Sequence, residues 1–254
     1  MVNAIILAGD QGKGKLRNYS PNKALLNING KYMVEYIVDA VNMVEEINRA
    51  VIVGPGSQLA PLVRGKVEKI IPCTDSIIRN ALLGVEYLRD DSRVLILSCD
   101  IPMITPEAVE DFLIKTKHAE ADLYYPIITK EANEKKYPGV KRTYVKLKEG
   151  VFTGGNIFLV NPGIIKKTLH KAEAILANRK KPFKLAVILG WDFVIKLLLG
   201  KLVIPELEKR VSELLGIKAV AVVSDYAEIG TDVDKPSDFI LAQKVLTQTV
   251  KINQ

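Results

Sequence analysis

Short runs of apolar residues alternate along this chain with longer stretches in which apolar residues recur every three or four positions. A short apolar run bounded by turn residues is typical of a strand buried on both faces, and the longer spacing is typical of an amphipathic helix. Strands and helices that alternate along a chain usually form a parallel sheet covered by helices. The pattern therefore predicts an α/β fold with a mainly parallel sheet.

The same pattern places the individual elements. The predicted strands cover residues 3–8, 49–53, 67–71, 93–98 and 218–223. A short extended piece, residues 24–28, ends in the turn signal Asn29-Gly30. Predicted helices include residues 34–44, a helix capped by Asp75 that runs to about Leu88, and helices that begin at Pro106, at Pro162 and near Pro236. Residues 122–160 are expected to be extended, with one charged excursion at 130–141.

Residues 163–216 differ from the rest because they predict two or three helices rich in Leu, Ile and Val. No proline- or glycine-rich linker separates the parts of the chain. We therefore expect one domain, residues 1–254, in which 163–216 is a helical insertion before the closing strand and helix of 217–254.

The stretch 183–215 is unusually apolar, but Lys184, Asp192 and Lys196 interrupt it, which argues against a transmembrane segment. Helices that are apolar all round need a partner surface. A homodimer interface, a lid over a substrate or a membrane-surface contact would each supply one.

Composition narrows the setting. The chain has 254 residues, 48% of them hydrophobic, which suffices for one sizeable domain. The net charge of +7 comes from scattered basic residues without interleaved aromatics, so no specific nucleic-acid partner is expected. The first residues lack the features of a signal peptide, and both cysteines, Cys73 and Cys99, are expected to be buried and reduced. A cytoplasmic location is the prediction.

The first predicted strand leads into a loop, LAGDQGKGKLR, that holds three glycines and three cations. Glycines let backbone N–H groups approach an anion, and ligands of α/β sheets collect at the carboxyl ends of strands. The spacing matches neither a dinucleotide fingerprint nor a Walker A loop. The loop is either a phosphate-binding element of another kind or an ordinary flexible turn.

An aspartate stands where the strand at 93–98 is predicted to end. Asp100 follows that strongly apolar strand and precedes Ile101-Pro102. A carboxylate at the carboxyl end of a strand can hold a hard cation such as Mg²⁺. Aspartate is also common there simply because it favours turns and helix caps.

Two segments carry a family resemblance: the loop at residues 7–17 and the following PNKALLNINGKYMVEYIVDAV. They resemble the opening of the GT-A-type nucleotidyltransferases, which include sugar-phosphate nucleotidyltransferases, cytidylyltransferases and the MobA-like molybdenum-cofactor guanylyltransferases. Asp100 resembles the metal-binding aspartate of that family. Residues 230–238 resemble its closing motif, which carries a second metal-binding aspartate, and Asp234 matches that aspartate better than Asp232 does. The resemblance implies a three-layer α/β/α Rossmann-like GT-A fold.

The resemblance also implies roles for individual residues. The half at 1–121 would bind the nucleotide through Leu7, Ala8, Gly9, Gly12, Gly14, Lys15, Lys23 and Ser76. Lys23 aligns with the family lysine that contacts the phosphates. The family arginine has no one-to-one match, and we assign its role to Lys15, with Lys13 and Arg17 as substitutes. Ser76 is equally explained as a helix N-cap. Asp10 replaces the second family glycine and adds a negative charge near the phosphates.

The part at 122–162 would bind the acceptor. Glycines interrupt its strand-like run VFTGGNIFLV, which suggests close approach of a ligand or of backbone. By resemblance, Thr153, Gly154, Gly155 and Asn156 would contact the acceptor, and Arg142 would grip its phosphate or else lie on a solvated edge.

Together these features predict a nucleotidyltransferase that joins a nucleoside monophosphate from a nucleoside triphosphate to a phosphorylated small molecule and releases pyrophosphate. Lys15, Lys23 and Asp100 would act in catalysis, with Mg²⁺ held by Asp100 and by Asp234 or Asp232. The alternatives are a GT-A glycosyltransferase that uses a nucleotide-sugar, and a non-catalytic nucleotide-binding or assembly protein. Neither the base nor the acceptor follows from the sequence.

Overall fold

A computed structural model describes residues 1–9, 15–89, 92–178 and 190–252 of the chain. Its centre is a nine-stranded sheet in the order β5-β4-β1-β6-β10-β7-β9-β8, with β11 paired to β7. The strands are β1 (Val2–Leu7), β4 (Ile47–Val53), β5 (Lys69–Ile71), β6 (Val94–Ser98), β7 (Leu123–Thr129), β8 (Val145–Leu147), β9 (Gly150–Gly154), β10 (Ile157–Val160) and β11 (Ala219–Ser224). A separate hairpin joins β2 (Asn27–Ile28) to β3 (Lys31–Tyr32).

The sheet is mainly parallel. Strand β1 pairs in parallel with β4 and β6, and β11 pairs in parallel with β7. Strands β9 and β10 run against their neighbours, and only Gly155 and Asn156 separate them. Strand β10 lies between β6 and β7, whereas β9 pairs with β7 and β8. The carboxyl ends of β1 and β6 therefore open at one edge, beside the interruption between β9 and β10.

Helices cover both faces of the sheet. The described helices are α1 (Met33–Asn42), α2 (Gly56–Leu59), α3 (Ile77–Leu88), α4 (Pro106–Lys115), α5 (Lys130–Lys136), α6 (Pro162–Asn178), α7 (Trp191–Leu198), α8 (Ile204–Leu215) and α9 (Pro236–Ile252). Side chains alternate along each strand, so Ile6, Ile52 and Leu97 pack with α1, α4 and α9. Ile5, Val51 and Ile96 face the other way, toward α3 and α6. The three-layer α/β/α prediction is confirmed.

Most predicted elements occur within a few residues of their expected bounds. The first strand, the Asn29-Gly30 turn, the proline starts of α4 and α6 and the closing strand are all present. The cap of α3 is Ser76 rather than Asp75, because the Ser76 hydroxyl accepts the Arg79 amide. The predicted burial of Cys73 is wrong: Cys73 is exposed, Cys99 is buried, and no disulfide joins them.

One longer segment differs from expectation, and a second agrees with the expected two or three helices. The charged excursion at 130–141 contains helix α5, whose first turn is capped by Thr129. In the apolar stretch 183–215, residues 183–189 lie outside the described residues, and α7 and α8 are separated by a break with Gly200 at a φ of 62°. Gly200 adopts the left-handed backbone that glycine tolerates, which ends the helix there.

The predicted insertion divides into two parts. Helix α6 belongs to the core layer, since Ile164 and Ile165 are buried against the sheet. Helix α7 buries Phe193 against β7, β8 and β9, while its opposite face leaves Trp191, Ile195, Leu198 and Leu199 exposed. Across the described part of the chain, every helix is too short or too polar to span a membrane.

Helix α3 approaches β1 so closely that the contact generates a prediction. A Cβ atom at Gly84 would lie 2.6–2.9 Å from three side-chain carbons of the fully buried Ile5. Alanine normally stabilises a helix interior relative to glycine, but here Gly84→Ala should lower the free energy of unfolding by about 1–3 kcal/mol through overpacking. Urea denaturation measures the change.

Gly163→Ala is the matched control, because Gly163 is exposed near the start of α6, and a Cβ atom there would approach no neighbour more closely than 3.4 Å. It should change the free energy of unfolding little or raise it slightly. Equal effects of the two substitutions would contradict the close packing of α3 on β1.

Candidate functional site

Polar side chains gather where β1 and β6 end and where the chain passes from β11 to α9. Asp100 follows β6 by two residues, and Asp232 and Asp234 precede α9. The backbone amide of Val233 donates to the Asp100 carbonyl at 2.8 Å. This main-chain hydrogen bond aligns the two aspartate-bearing segments side by side, so their side chains share one region.

The three aspartates form one carboxylate cluster. One carboxylate oxygen from each of Asp100, Asp232 and Asp234 lies within 4.8 Å of the others. Three negative charges at such distances repel each other strongly unless cations or protons compensate them. Among the described residues, two cations lie against the cluster, Lys23 and Arg142.

Lys23 bridges two members of the cluster. Its ammonium donates to Asp100 Oδ2 at 3.2 Å and to Asp234 Oδ1. Burial alone lowers the pKa of Lys23, but the charge of Asp100 and the hydrogen bond to Asp234 outweigh it and hold that pKa above its ordinary value. Burial likewise favours protonated Asp234, yet the bond from Lys23 holds its pKa below the usual range. Lys23 therefore stays charged across the whole physiological range.

Asn22 fixes the backbone that carries Lys23. The Asn22 side chain is buried, accepts the Ala24 amide at 2.8 Å and donates to the Ala8 carbonyl at 3.2 Å. The second bond ties the Lys23 segment directly to the end of β1. Lys23 is thus presented to the cluster from a short helical turn, Lys23–Leu25, that cannot shift independently of the sheet.

Arg142 holds the third carboxylate. Its Nη1 donates to Asp232 Oδ1 and its Nη2 donates to the Asp232 carbonyl at 2.9 Å. Burial and the charges of Asp100 and Asp234 raise the pKa of Asp232 to about 7, although Arg142 opposes the shift. Within the part of the chain that the structure describes, two cations therefore face three carboxylates, and the raised pKa of Asp232 reflects that imbalance.

The segment that carries Asp232 and Asp234 is anchored on both sides. Before it, the buried carboxylate of Glu228 accepts from Lys136 Nζ at 2.7 Å and from Thr105 Oγ1 at 3.2 Å. After it, the buried Asp238 accepts the amides of Asp234 and Lys235 at 3.2 and 3.3 Å. These bonds fix the aspartate positions before any ligand binds.

A divalent cation fits this arrangement chemically. Mg²⁺ prefers oxygen ligands, and one or two carboxylates together with phosphate oxygens and water usually complete its shell. The cluster offers carboxylate oxygens from Asp100, Asp234 and Asp232 at the required closeness, and its excess negative charge favours a cation. The structure thus brings together the three residues that the sequence predicted as metal ligands, although metal binding itself stays a prediction.

The predicted phosphate-binding loop is described only in part. Leu7, Ala8 and Gly9 lie at the end of β1, next to the cluster, and the Leu7 carbonyl accepts the Cys99 amide. Gly12 and Gly14, with Asp10 and Lys13, lie outside the described residues. Lys15 is exposed. A Cβ at Gly9 would lie 2.9 Å from Cys73 Cβ, so close packing explains that glycine without a ligand.

Ser76 serves the structural role that the sequence left open. Its hydroxyl caps α3 at Arg79 and donates to the Glu173 carboxylate at 2.6 Å. Glu173 also accepts from Arg79 Nε at 3.2 Å, which joins α6 to the start of α3. Nucleotide binding by Ser76 stays a prediction.

The predicted acceptor element is the interruption between β9 and β10. A Cβ at Gly154 would clash with the Tyr125 hydroxyl, and one at Gly155 would lie 2.7 Å from both Ile229 and Pro126. The backbone carbonyl of Asn156 accepts a hydrogen bond from the Ser98 amide, and the backbone amide of Asn156 donates one to the Ile229 carbonyl. Internal packing therefore accounts for both glycines. Thr153 is buried, and acceptor contact by this element stays a prediction.

Sequence reasoning missed several residues that build the site. Ser98 Oγ donates to Asp100 Oδ1, and Asn22, Asp238 and Glu228 hold the backbone segments described above. Asp238 had a signal, since it stands three residues after Lys235 at a helix start, the spacing of an N-terminal capping interaction. Glu228 had none, because sequence pattern does not distinguish a buried glutamate in a short 3₁₀ turn, Ala227–Gly230, from an exposed one.

Comparison with known proteins agrees with this geometry. The family model of the MobA-like NTP transferase domain matches residues 4–187, which is more than half of the chain and includes Lys23, Asp100 and Arg142. Bifunctional protein GlmU of Alcanivorax borkumensis is 30% identical over 112 residues, which cover 43% of this chain and 24% of that protein. This chain thus spans about a quarter of the length of GlmU.

Solved structures are similar over nearly the whole chain. A hypothetical transferase from Thermus thermophilus is 38% identical, with a TM-score of 0.83 over 94% of this chain and 99% of that one. CMP:2-keto-3-deoxy-manno-octonic acid synthetase complexed with CTP is 15% identical, with a TM-score of 0.65 over 98% of both chains. The second likeness shows a shared Rossmann-like fold alone.

Lys23 should stabilise the metal-free protein. In Lys23→Met, Asp100 and Asp234 lose their shared counter-charge, which should lower the free energy of unfolding by about 1–2 kcal/mol in the presence of a chelator. Added Mg²⁺ should recover part of that loss and should stabilise the variant more than the wild type. Chemical denaturation with and without Mg²⁺ measures both effects.

Lys31→Met is the control, because Lys31 pairs with Asp39 at the surface and Asp39 keeps a second partner in Lys66. It should cost little stability and should leave the response to Mg²⁺ unchanged. An Mg²⁺ response of Lys23→Met no larger than that of the wild type would contradict the idea that Lys23 compensates a cation-binding cluster.

Proposed function

Since this chain belongs to the MobA-like NTP transferase family, we propose that it transfers a nucleoside monophosphate from a nucleoside triphosphate to a phosphorylated small molecule. The observation that carries the proposal is the convergence of Lys23 with Asp100 and Asp234 at the carboxyl edge of the sheet. A cation-binding cluster beside a lysine suits a triphosphate, because the reaction places its largest charges on phosphate oxygens.

In the proposed reaction, a phosphate oxygen of the acceptor attacks the α-phosphorus of the triphosphate. A new oxygen–phosphorus bond forms as the bond from the α-phosphorus to the α,β-bridging oxygen breaks, and pyrophosphate leaves with that electron pair. No protein nucleophile is required, since in-line transfer depends mainly on positioning and charge stabilisation. Mg²⁺, when held by Asp100 with Asp234 or Asp232, would supply Lewis-acid stabilisation of the phosphate charge.

The described residues divide the remaining work. Lys23 would leave its carboxylate partners and stabilise charge at the α-phosphate. Lys15 would stabilise the negative charge of the departing pyrophosphate. Asp100 would stay in place because its carbonyl and its carboxylate are both held, by the Val233 amide and the Ser98 hydroxyl.

Family membership identifies neither the base of the triphosphate nor the acceptor. Arg142 and residues 153–156 are the proposed acceptor contacts. A GT-A glycosyltransferase is the second candidate, but it has no triphosphate tail for Lys23 to neutralise. A non-catalytic nucleotide-binding protein is the third, and Asp10 is its main support.

The exposed face of α7 supports the predicted homodimer through residues 183–215, because four large apolar side chains there meet solvent in the isolated chain. Part of that stretch lies outside the described residues. Dimerisation and a cytoplasmic location both stay predictions.

Asp100→Asn tests the proposed reaction. The variant keeps the shape of the side chain but loses the charge that would hold Mg²⁺, so the rate of pyrophosphate release should fall by several orders of magnitude, on the order of 10³-fold or more. The assay combines each of the four nucleoside triphosphates with a panel of phosphorylated acceptors in the presence of Mg²⁺.

Asp225→Asn is the matched control, since Asp225 is an exposed aspartate of the same connection between β11 and α9. It should retain the wild-type rate. Near-normal pyrophosphate release by Asp100→Asn would exclude the metal role of Asp100. Nucleotide binding without pyrophosphate release, across all acceptors, would favour the non-catalytic candidate.

A further inference from the structure

Arg142 binds the carboxylate of Asp232, one of the three carboxylates that would hold a cation. Its side chain is 9% exposed, and both terminal nitrogens point at Asp232, one at the carboxylate and one at the carbonyl. Asp232 is at the same time a member of the carboxylate cluster with Asp100 and Asp234. The same side chain therefore faces an arginine and a candidate metal position.

The two partners cannot both be satisfied fully. A guanidinium that binds a carboxylate occupies its oxygen lone pairs and fixes its orientation. The positive charge of the guanidinium also repels a metal ion a few ångströms away. Removal of Arg142 would leave the cluster with a larger excess of negative charge, which a divalent cation would relieve. Loss of the arginine should therefore strengthen metal binding.

Arg142 is also incompletely satisfied where it lies. Its Nε is buried and has no hydrogen-bond partner among the residues that the structure describes. A buried N–H without a partner costs free energy, so the ion pair with Asp232 is less stable than a fully satisfied one. This makes Arg142 a displaceable partner, in contrast to Lys136, whose bond to buried Glu228 anchors the backbone.

We infer that Arg142, apart from the acceptor contact proposed above, competes with the metal ion for Asp232 and thereby weakens the site's affinity for free metal. The inference rests on the proposed function, because it takes the carboxylate cluster as the metal site. A site weakened in this way retains metal mainly together with a triphosphate, whose oxygens add ligands that the empty protein lacks. Arg142 lies on the connection from α5 to β8. The side chain that would weaken metal binding therefore comes from outside residues 1–121, the proposed nucleotide-binding half.

Direct metal titration of the full chain, without nucleotide, tests the inference. Mn²⁺ serves as the probe because carboxylate sites accept it and the paramagnetic resonance spectrum of free Mn²⁺ in solution reports the unbound fraction. Arg142→Ala should bind Mn²⁺ about tenfold more tightly than the wild type, the change expected for one charged hydrogen-bonding partner. Arg142→Lys, which keeps the charge and loses the planar fork, should fall between the two.

Lys141→Met is the matched control. Lys141 is the exposed neighbour of Arg142, so its loss removes the same charge from the same loop without touching Asp232. It should leave Mn²⁺ affinity unchanged. In an Asp232→Asn background, Arg142→Ala should have a smaller effect than in the wild type, because only the repulsion between Arg142 and the metal ion is then removed.

Folding of each variant is checked by denaturation in chelator, and Arg142→Lys carries the test if Arg142→Ala does not fold. Unchanged or weaker Mn²⁺ binding by the folded Arg142 variants would overturn the inference and indicate a purely structural ion pair. If Asp100→Asn loses Mn²⁺ binding but the Arg142 variants bind Mn²⁺ as tightly as the wild type does, the proposed metal site stands and only the inference fails. Absence of Mn²⁺ binding in the wild type and every variant would overturn both.

Discussion

Mutual repulsion among three carboxylates is the constraint around which this site is built. Asp100, Asp232 and Asp234 lie within a few ångströms of one another, and a fold that brings them together must compensate their charge. Lys23 and Arg142 do so from separate parts of the sequence, and both side chains are largely buried. The surrounding backbone, with Val233 bonded to Asp100 and Asn22 bonded to Ala8, keeps charge and counter-charge in register.

The architecture was predictable from the sequence because its signals are local. Apolar runs mark β1, β4 and β6 at nearly their observed bounds, and prolines mark the starts of α4 and α6. Charged helix α5 escaped prediction because its sequence, KEANEKK, has almost no apolar face and is stabilised by its Thr129 cap. The break between α7 and α8 escaped because apolar content says nothing about where a glycine must turn the backbone.

The site was predictable in its members but not in its bonds. Position after a strand pointed to Asp100, and family resemblance pointed to Asp234 and Lys23. The pairing of Arg142 with Asp232, and the packing that explains Gly154 and Gly155, required three-dimensional distances. Glycines in a strand signal close approach, yet only the structure shows that the approaching groups are Tyr125, Pro126 and Ile229 of the protein itself.

The distance in sequence between Lys23 and Asp234 has a consequence for synthesis. The two residues are 211 positions apart and yet share a hydrogen bond. During translation, strands β1, β4 and β6 can pair early, because their contacts are comparatively short in sequence. The carboxylates of Asp232 and Asp234 join them only when the chain beyond β11 has emerged. The nascent chain therefore carries part of the sheet with half a site, and Asp232, Asp234 and the core helix α9 complete the site and the fold together.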